Sequence, residues 1–458
     1  MVLNFMRKII FFNLMLISCV ISLLVFSHDY YVSILLTVFN VFLTFYLIND
    51  NKYSINIINP QTILLLGMSV LIFGRFFSVL LDPNQLASIF CIDFIFYYCS
   101  SLEEAFKLII YLNSILVFFS LAFIIPVKEN NIKYSKDIYS YLNQKKILIV
   151  FTVGVLSALY SIFENFNKIQ LVIGSGYLAL YEGQSEGYET PYSLVLGSIS
   201  IASLALLFSL KDFSFNSKKL FNILFFIVVL KSLILIATGA RSSFISGLIL
   251  LIWYIFYNKE LKIKHYLILS LSFFVTISTV NYLASLSGAR IIDNIERSFL
   301  GGITYIFYNQ GVSLMVFDIS LKYSDYPVLG FWKVIFPGIQ IFYNIFGVTE
   351  RKDFNWSSYV VYNENYGAYV NGNGLGWSLY SDFYAFSFGF LPLFCIYVYC
   401  FSRFIVKAIS SNRLYFDGVV LIMIYTFFAI NRSSISIFIF ILIFYTLMYL
   451  FFVKFKWK

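Results

Sequence analysis

The stretch Ile9-Ile10-Phe11-Phe12-Asn13-Leu14-Met15-Leu16-Ile17-Ser18-Cys19-Val20-Ile21-Ser22-Leu23-Leu24-Val25-Phe26 decides the fold. It carries no charge, and its length approaches the roughly 20 apolar residues that a helix needs to cross a bilayer. It does not alternate apolar and polar residues, as a barrel strand of about 10 residues would. The same pattern recurs at 31–48, 62–81, 109–126, 147–162, 192–210, 220–238, 243–257, 266–282, 384–402, 418–430 and 434–453. Composition agrees, with 60% hydrophobic and 12% charged residues, whereas a soluble chain carries about 25% charge. The sequence predicts an all-α polytopic integral membrane protein of about twelve transmembrane helices.

Arg7 and Lys8 followed by an apolar run resemble a secretory signal. The run continues unbroken to Phe26 and further runs follow, so a retained first helix is the plainer expectation. Of five cysteines, Cys19, Cys395 and Cys400 fall in apolar runs. Cys91 and Cys99 share one loop and can pair if it faces an oxidising space; packing as free thiols is the simpler expectation.

Charge sets an orientation. With the N-terminus placed inside, twenty of the 32 basic residues fall on inner segments and ten on outer ones, while 17 of 23 acids are outer. Short cytoplasmic loops are enriched in Lys and Arg, so both termini are expected in the cytoplasm. The scattered charge argues against a nucleic-acid partner. Membrane residues 1–282 and 383–458 then flank one large, late outer loop, 283–382. Within it, 299–321 and 329–347 are apolar enough to dip into the membrane as interfacial or re-entrant segments.

Charges inside apolar spans are costly and usually functional. Arg75 and Lys231 lie within spans, and Arg241 and Arg432 lie at outer ends. Together they suggest a cationic cavity open to the outer face. Thr238-Gly239-Ala240-Arg241-Ser242-Ser243 resembles Ser287-Gly288-Ala289-Arg290, which continues through Arg297 to Gly301. Glycine beside arginine lets an anion approach the backbone while the guanidinium forks onto it, which suits a phosphate or pyrophosphate. Trp356, Tyr359, Tyr362, Tyr366, Tyr369 and Trp377 are interleaved with asparagines and glycines. That is the composition of a carbohydrate site; an interfacial aromatic belt explains the rings but not the amides. Asp293, Glu296, Glu350, Asp353, Glu364 and Asp382 are available as a general base. The two histidines, His28 and His265, lie on opposite sides, so no metal and no cofactor is expected.

Ser378-Leu379-Tyr380-Ser381-Asp382-Phe383-Tyr384 runs into Phe388-Gly389-Phe390, and Arg290 and Gly301 are separated by ten residues. With the twelve spans, the late loop and Thr238-Gly239-Ala240-Arg241-Ser242, these features resemble the O-antigen polymerases of the Wzy type. Asp382 stands where that family often has glutamate. The resemblance implies a membrane glycosyltransferase at the periplasmic face of the bacterial inner membrane. It would join undecaprenyl-pyrophosphate-linked oligosaccharide repeat units into O-antigen or capsule-like polysaccharide, surrounded by membrane lipid and with a chain-length regulator and a flippase as partners. On this reading Arg290, Arg241 and Asp382 are catalytic. Arg75, Lys231, Arg297, Arg432, Trp356 and Tyr366 bind substrate.

A flippase for lipid-linked oligosaccharide is the first rival, but transporters usually show repeated halves, and none is evident here. An O-antigen ligase is the second. Ligases of that type rely on a histidine in the large loop, and 283–382 has none. The orientation predicts that a reporter fused after Tyr366 reads as periplasmic; a cytoplasmic signal there overturns it.

Overall fold

The computed structural model describes residues 2–49, 58–92, 96–125, 144–175, 191–212, 214–235, 241–257, 299–336, 338–347, 350–411 and 413–454. The first part of the chain forms α1 (Val2–Val25), α2 (Tyr30–Asn49), α3 (Pro60–Leu71), α4 (Gly74–Leu81), α5 (Leu102–Ile124), α6 (Gln144–Ser175), α7 (Pro191–Ser209), α8 (Phe215–Ile234) and α9 (Arg241–Phe256). Two short strands, β1 (Cys91–Ile92) and β2 (Tyr98–Cys99), pair antiparallel between α4 and α5.

Eleven of the twelve apolar runs lie on helices; the run 266–282 is outside the described residues. Among the described residues, six helices are long and apolar enough to cross a membrane. The pair α3 and α4, bent by 60°, makes a seventh if it is one span. Segments 193–209, 243–256 and 414–426 are apolar but shorter.

Local chemistry sets several helix starts. Ser101 and Glu104 form a reciprocal capping box on α5, with Glu104 Oε2 accepting from Ser101 N at 2.7 Å. Asn59 caps α3 ahead of Pro60, whose fixed φ suits the first helical position. A polar seam joins α1, α2 and α5: Asn40 Nδ2 donates to Asn113 Oδ1 at 3.1 Å and to Cys19 Sγ at 3.2 Å. One turn away, Ser120 and Thr44 hydroxyls lie 3.2 Å apart. Hydrocarbon gives no hydrophobic drive between helices, so such contacts and close packing hold them together.

Two expected spans are broken. The run 62–81 bends between α3 and α4, where Phe73 N reaches back to Met68 O at 3.0 Å. Close packing surrounds the bend. A Cβ on Gly74 would sit 2.6 Å from Phe307 O, and Gly67 lies against Phe428 and Asn431. The run 384–402 is interrupted where Phe388 (φ 52°) and Gly389 (φ 73°) adopt left-handed conformations.

From residue 299, where the described part of the region expected as the outer loop begins, the chain is a set of short helices: α10 (Phe299–Gln310), α11 (Ser313–Ser320), α12 (Val328–Ile335), α13 (Gln340–Ile345), α14 (Arg351–Phe354), α15 (Trp356–Glu364), α16 (Tyr366–Val370) and α17 (Leu379–Phe386). Even α10, with 12 residues, rises only about 18 Å at 1.5 Å per residue, short of the ~30 Å hydrocarbon. The chain ends in α18 (Leu391–Ser410), α19 (Leu414–Thr426) and α20 (Ser436–Tyr449).

The Gly74–Gly311 crossing leaves no room for a side chain, since a Cβ on Gly311 would meet the Arg75 amide nitrogen. Gly74→Val is expected to destabilise the protein by about 1–3 kcal/mol, the usual cost of overpacking. Thermal unfolding of the detergent-solubilised protein would show this as a lowered midpoint; an unchanged midpoint would refute the tight crossing.

Candidate functional site

Helix α10 packs against α3 and α4 and gathers two of the expected cations. Arg75 is the second residue of α4 and is 4% exposed. Its guanidinium lies 4.6 Å from the centre of the Tyr308 ring. Nη1 donates to Ile89 O at 2.8 Å and also to Ser88 O and Cys91 O. Tyr308 OH donates to Ser88 O at 3.1 Å, so arginine and tyrosine clasp the same loop. Two residues further along, at the same C-terminal end of α10, Arg432 Nη1 donates to Gln310 Oε1 at 3.4 Å.

The clasped loop is closed covalently. Cys91 and Cys99, expected as free thiols, form a disulfide across β1 and β2. Their spacing alone left pairing open; antiparallel register places them opposite one another.

The other expected cations are placed differently. Lys231 is 7% exposed on α8, and its Nζ donates to Ser200 Oγ of α7 at 3.1 Å. It sits at an interface of α6, α7 and α8, since its carbonyl accepts from Asn165 Nδ2. Arg241 is the first residue of α9; its side chain is outside the described residues, as are Arg290 and Arg297. The structure therefore brings Arg75 and Arg432 to one helix and places Lys231 in a separate interface.

Asp382 is fully buried on α17. Its Oδ1 accepts from Trp377 Nε1 at 2.7 Å and its Oδ2 from Ile435 N at 2.6 Å. Burial pushes its carboxyl up to about 7, opposed by hydrogen bonds from Ile435 N, Ser434 and Trp377. The bond to Ile435 ties α17 to the turn that carries Arg432. Asp382 thus anchors the turn whose Arg432 meets Gln310 at the end of α10.

A second buried acid was not singled out from sequence. Asp318, on α11, is 1% exposed. Its Oδ2 accepts from Tyr98 OH at 3.3 Å and from Ser100 Oγ, while Oδ1 has no hydrogen-bond partner among the described residues. Burial pushes its carboxyl up to about 7; the Ser100 bond opposes this, the Glu104 charge adds to it, and Tyr98 and Lys322 oppose it. Close by, Lys107 Nζ donates to Tyr384 OH at 3.1 Å and to Leu321 O. Lys322 pairs with Glu364 at 2.7 Å, and Tyr323 OH donates to the same carboxylate. The signal was present: Asp318 is the one acid within the apolar segment 299–321, where a charge is costly.

The aromatic residues divide. Trp356, expected to offer a face to sugar, is 3% exposed. Its Nε1 donates to Pro327 O at 3.1 Å, and its ring packs on Tyr326, Phe331, Trp377 and Phe386. Gly330 lies against the indole so closely that any Cβ there would overlap it. Trp356 is therefore a core residue of this region. Tyr366, by contrast, is 63% exposed.

The family model for O-antigen polysaccharide polymerase Wzy matches residues 8–458. No curated protein and no solved structure matches the chain. The match spans nearly the whole chain and agrees with its apolar helices. The chain belongs to the O-antigen polysaccharide polymerase Wzy family, multi-pass membrane proteins that act as glycosyltransferase-like enzymes on lipid-linked oligosaccharide repeat units.

Proposed function

We propose that this protein polymerises undecaprenyl-pyrophosphate-linked repeat units at the periplasmic face of the inner membrane, with 283–382 as the outer loop between membrane parts 1–282 and 383–458. The observation that carries the site reading is the convergence of Arg75 and Arg432 on α10. That helix begins two residues after Arg297. Arginines near departing pyrophosphate would stabilise the negative charge that develops as it leaves. Two further observations favour an outer location. The Cys91–Cys99 disulfide suits an oxidising compartment, and the charge distribution supports an outer position for that loop.

In the proposed reaction, an acceptor hydroxyl of one repeat unit attacks the anomeric carbon of the growing glycan. The new glycosidic C–O bond forms as the bond from that carbon to pyrophosphate breaks. The electron pair leaves with pyrophosphate, and the acceptor proton passes to a carboxylate. Arg290 and Arg241 are assigned to the leaving pyrophosphate, with Arg297, Arg75, Arg432 and Lys231 as supporting cations. A groove of about 540 Å³ between 336–346 and Phe440 and Ile443 of α20 offers an apolar bed for the carrier's tail.

Asp382 is assigned a positioning role. Both carboxylate oxygens accept hydrogen bonds and no part of it reaches the surface. Its contacts hold the turn bearing Arg432 against α17.

Arg290→Ala and Arg241→Ala are each expected to abolish long-chain polysaccharide, through a rate loss of about 10²–10³ typical of removing one charge-stabilising donor, while the protein still inserts. Unchanged glycan ladders on a gel would exclude those roles. For Asp382→Asn, the amide that replaces one oxygen cannot accept a bond at its nitrogen, so folded protein and activity are expected to fall together. Normal folding with complete loss of polymer would instead mark Asp382 as the proton acceptor.

A further inference from the structure

Three aromatic side chains of the outer region, the exposed Tyr366 and the half-buried Tyr362 and Tyr369, are organised. Tyr366 and Tyr369 present rings 6.2 Å apart and inclined by only 30°. Tyr362 meets both edge-on, at 5.5 Å and 82° to Tyr366 and at 5.1 Å and 86° to Tyr369. One ring braces two near-parallel ones.

The scaffold beneath is held in place. Arg351 Nη2 donates to Tyr369 O at 2.9 Å and Nη1 to Gly372 O at 3.2 Å, with the guanidinium 5.2 Å from the Tyr369 ring. Gly372 permits the turn with φ 83°. Asn365 caps α16 by accepting from Ala368 N at 2.9 Å. Lys352 Nζ lies 4.1 Å from the Tyr362 ring and 2.7 Å from Glu350.

The chemistry of this surface favours holding over reacting. Arg351 is engaged by carbonyls, Lys352 by Glu350, and Glu364 by Lys322 and Tyr323. What faces solvent is the Tyr366 ring and part of the Tyr362 and Tyr369 rings, with the exposed amides Asn363 and Asn371 flanking them in the chain. Ring faces suit the C–H surfaces of sugars, and amides suit their hydroxyls. A preorganised aromatic shelf loses little conformational freedom on binding.

We propose that Tyr362, Tyr366 and Tyr369 form a glycan-holding platform that retains the growing polymer between additions and so sets product length. This rests on the polymerase reading above. Joining occurs elsewhere on the protein; the platform lengthens the time a chain stays bound.

The test is complementation of the source bacterium lacking this gene, read as a glycan ladder on a gel, with protein level in the membrane measured in parallel. The double variant Tyr366→Ala with Tyr369→Ala is expected to make polymer of roughly half the wild-type modal length, since each lost ring removes a stacking face. Tyr366→Phe keeps the ring and is expected to match wild type. A double-variant ladder equal to wild type overturns the platform. So does complete loss of polymer at normal protein level, which would place the tyrosines in the joining step. If the double variant is poorly inserted, Tyr366→Ala alone, at an exposed position, is read by the same criteria. A fluorophore on Tyr366→Cys, made with Cys400→Ser, is expected to escape quenchers carried on lipid; strong quenching would mark an interfacial anchor and overturn the proposal. Failure of the wild-type gene to restore any ladder would reject the polymerase reading instead.

Discussion

Hydrocarbon offers no hydrogen-bond partner, and this constraint shapes the structure from the first helix to the last. Each buried polar group is costly unless a neighbour supplies its bond. The Asn40–Asn113–Cys19 contacts are one answer, sealing α1, α2 and α5 with short polar side chains. Lys231 is another, with its ammonium on Ser200. Arg75 is the most elaborate, reaching backbone carbonyls of a loop while covering an aromatic face. Buried cations here are built into the scaffold, and any site for an anionic leaving group has to use charges that the scaffold already places.

The short helices of 299–386 reach the long apolar helices through specific ties. Asp382 accepts from the backbone of Ile435. Lys107 of α5 reaches Tyr384 of α17, and Tyr111 OH donates to Gly389 O at 2.8 Å. Gly74 and Gly311 bring α4 and α10 into backbone contact. These ties mix charge, hydroxyl and bare backbone. They fix these short helices against α4, α5 and the turn before α20, and not only against each other.

The helices were legible in the sequence because an apolar run of membrane length has few alternatives. The breaks were not. The bend after Leu71 is surrounded by Phe307, Gly311 and Phe428, all more than 200 residues away in sequence, and a window along 62–81 contains none of them. Asp382 was legible as a candidate, but its burial depends on Trp377 and on the distant Ile435. Asp318 was legible as the one acid in 299–321, but its burial against Ser100 and Tyr98, 218 and 220 positions earlier, was not. Trp356 and Tyr366 belong to the same aromatic-rich stretch, yet one is buried and the other exposed. Composition can name the residue types of a sugar site but not which rings the fold turns outward.

The paired strands at Cys91–Cys99 also order events in time. Their partner Asp318 is synthesised 220 residues after Tyr98, on the order of 10–40 s later at the usual pace of translation. The Cys91–Cys99 pair and the carbonyls that hold Arg75 draw only on residues made before α11, so neither has to wait for it. The short helices from α11 on meet a surface that the same chain has already supplied.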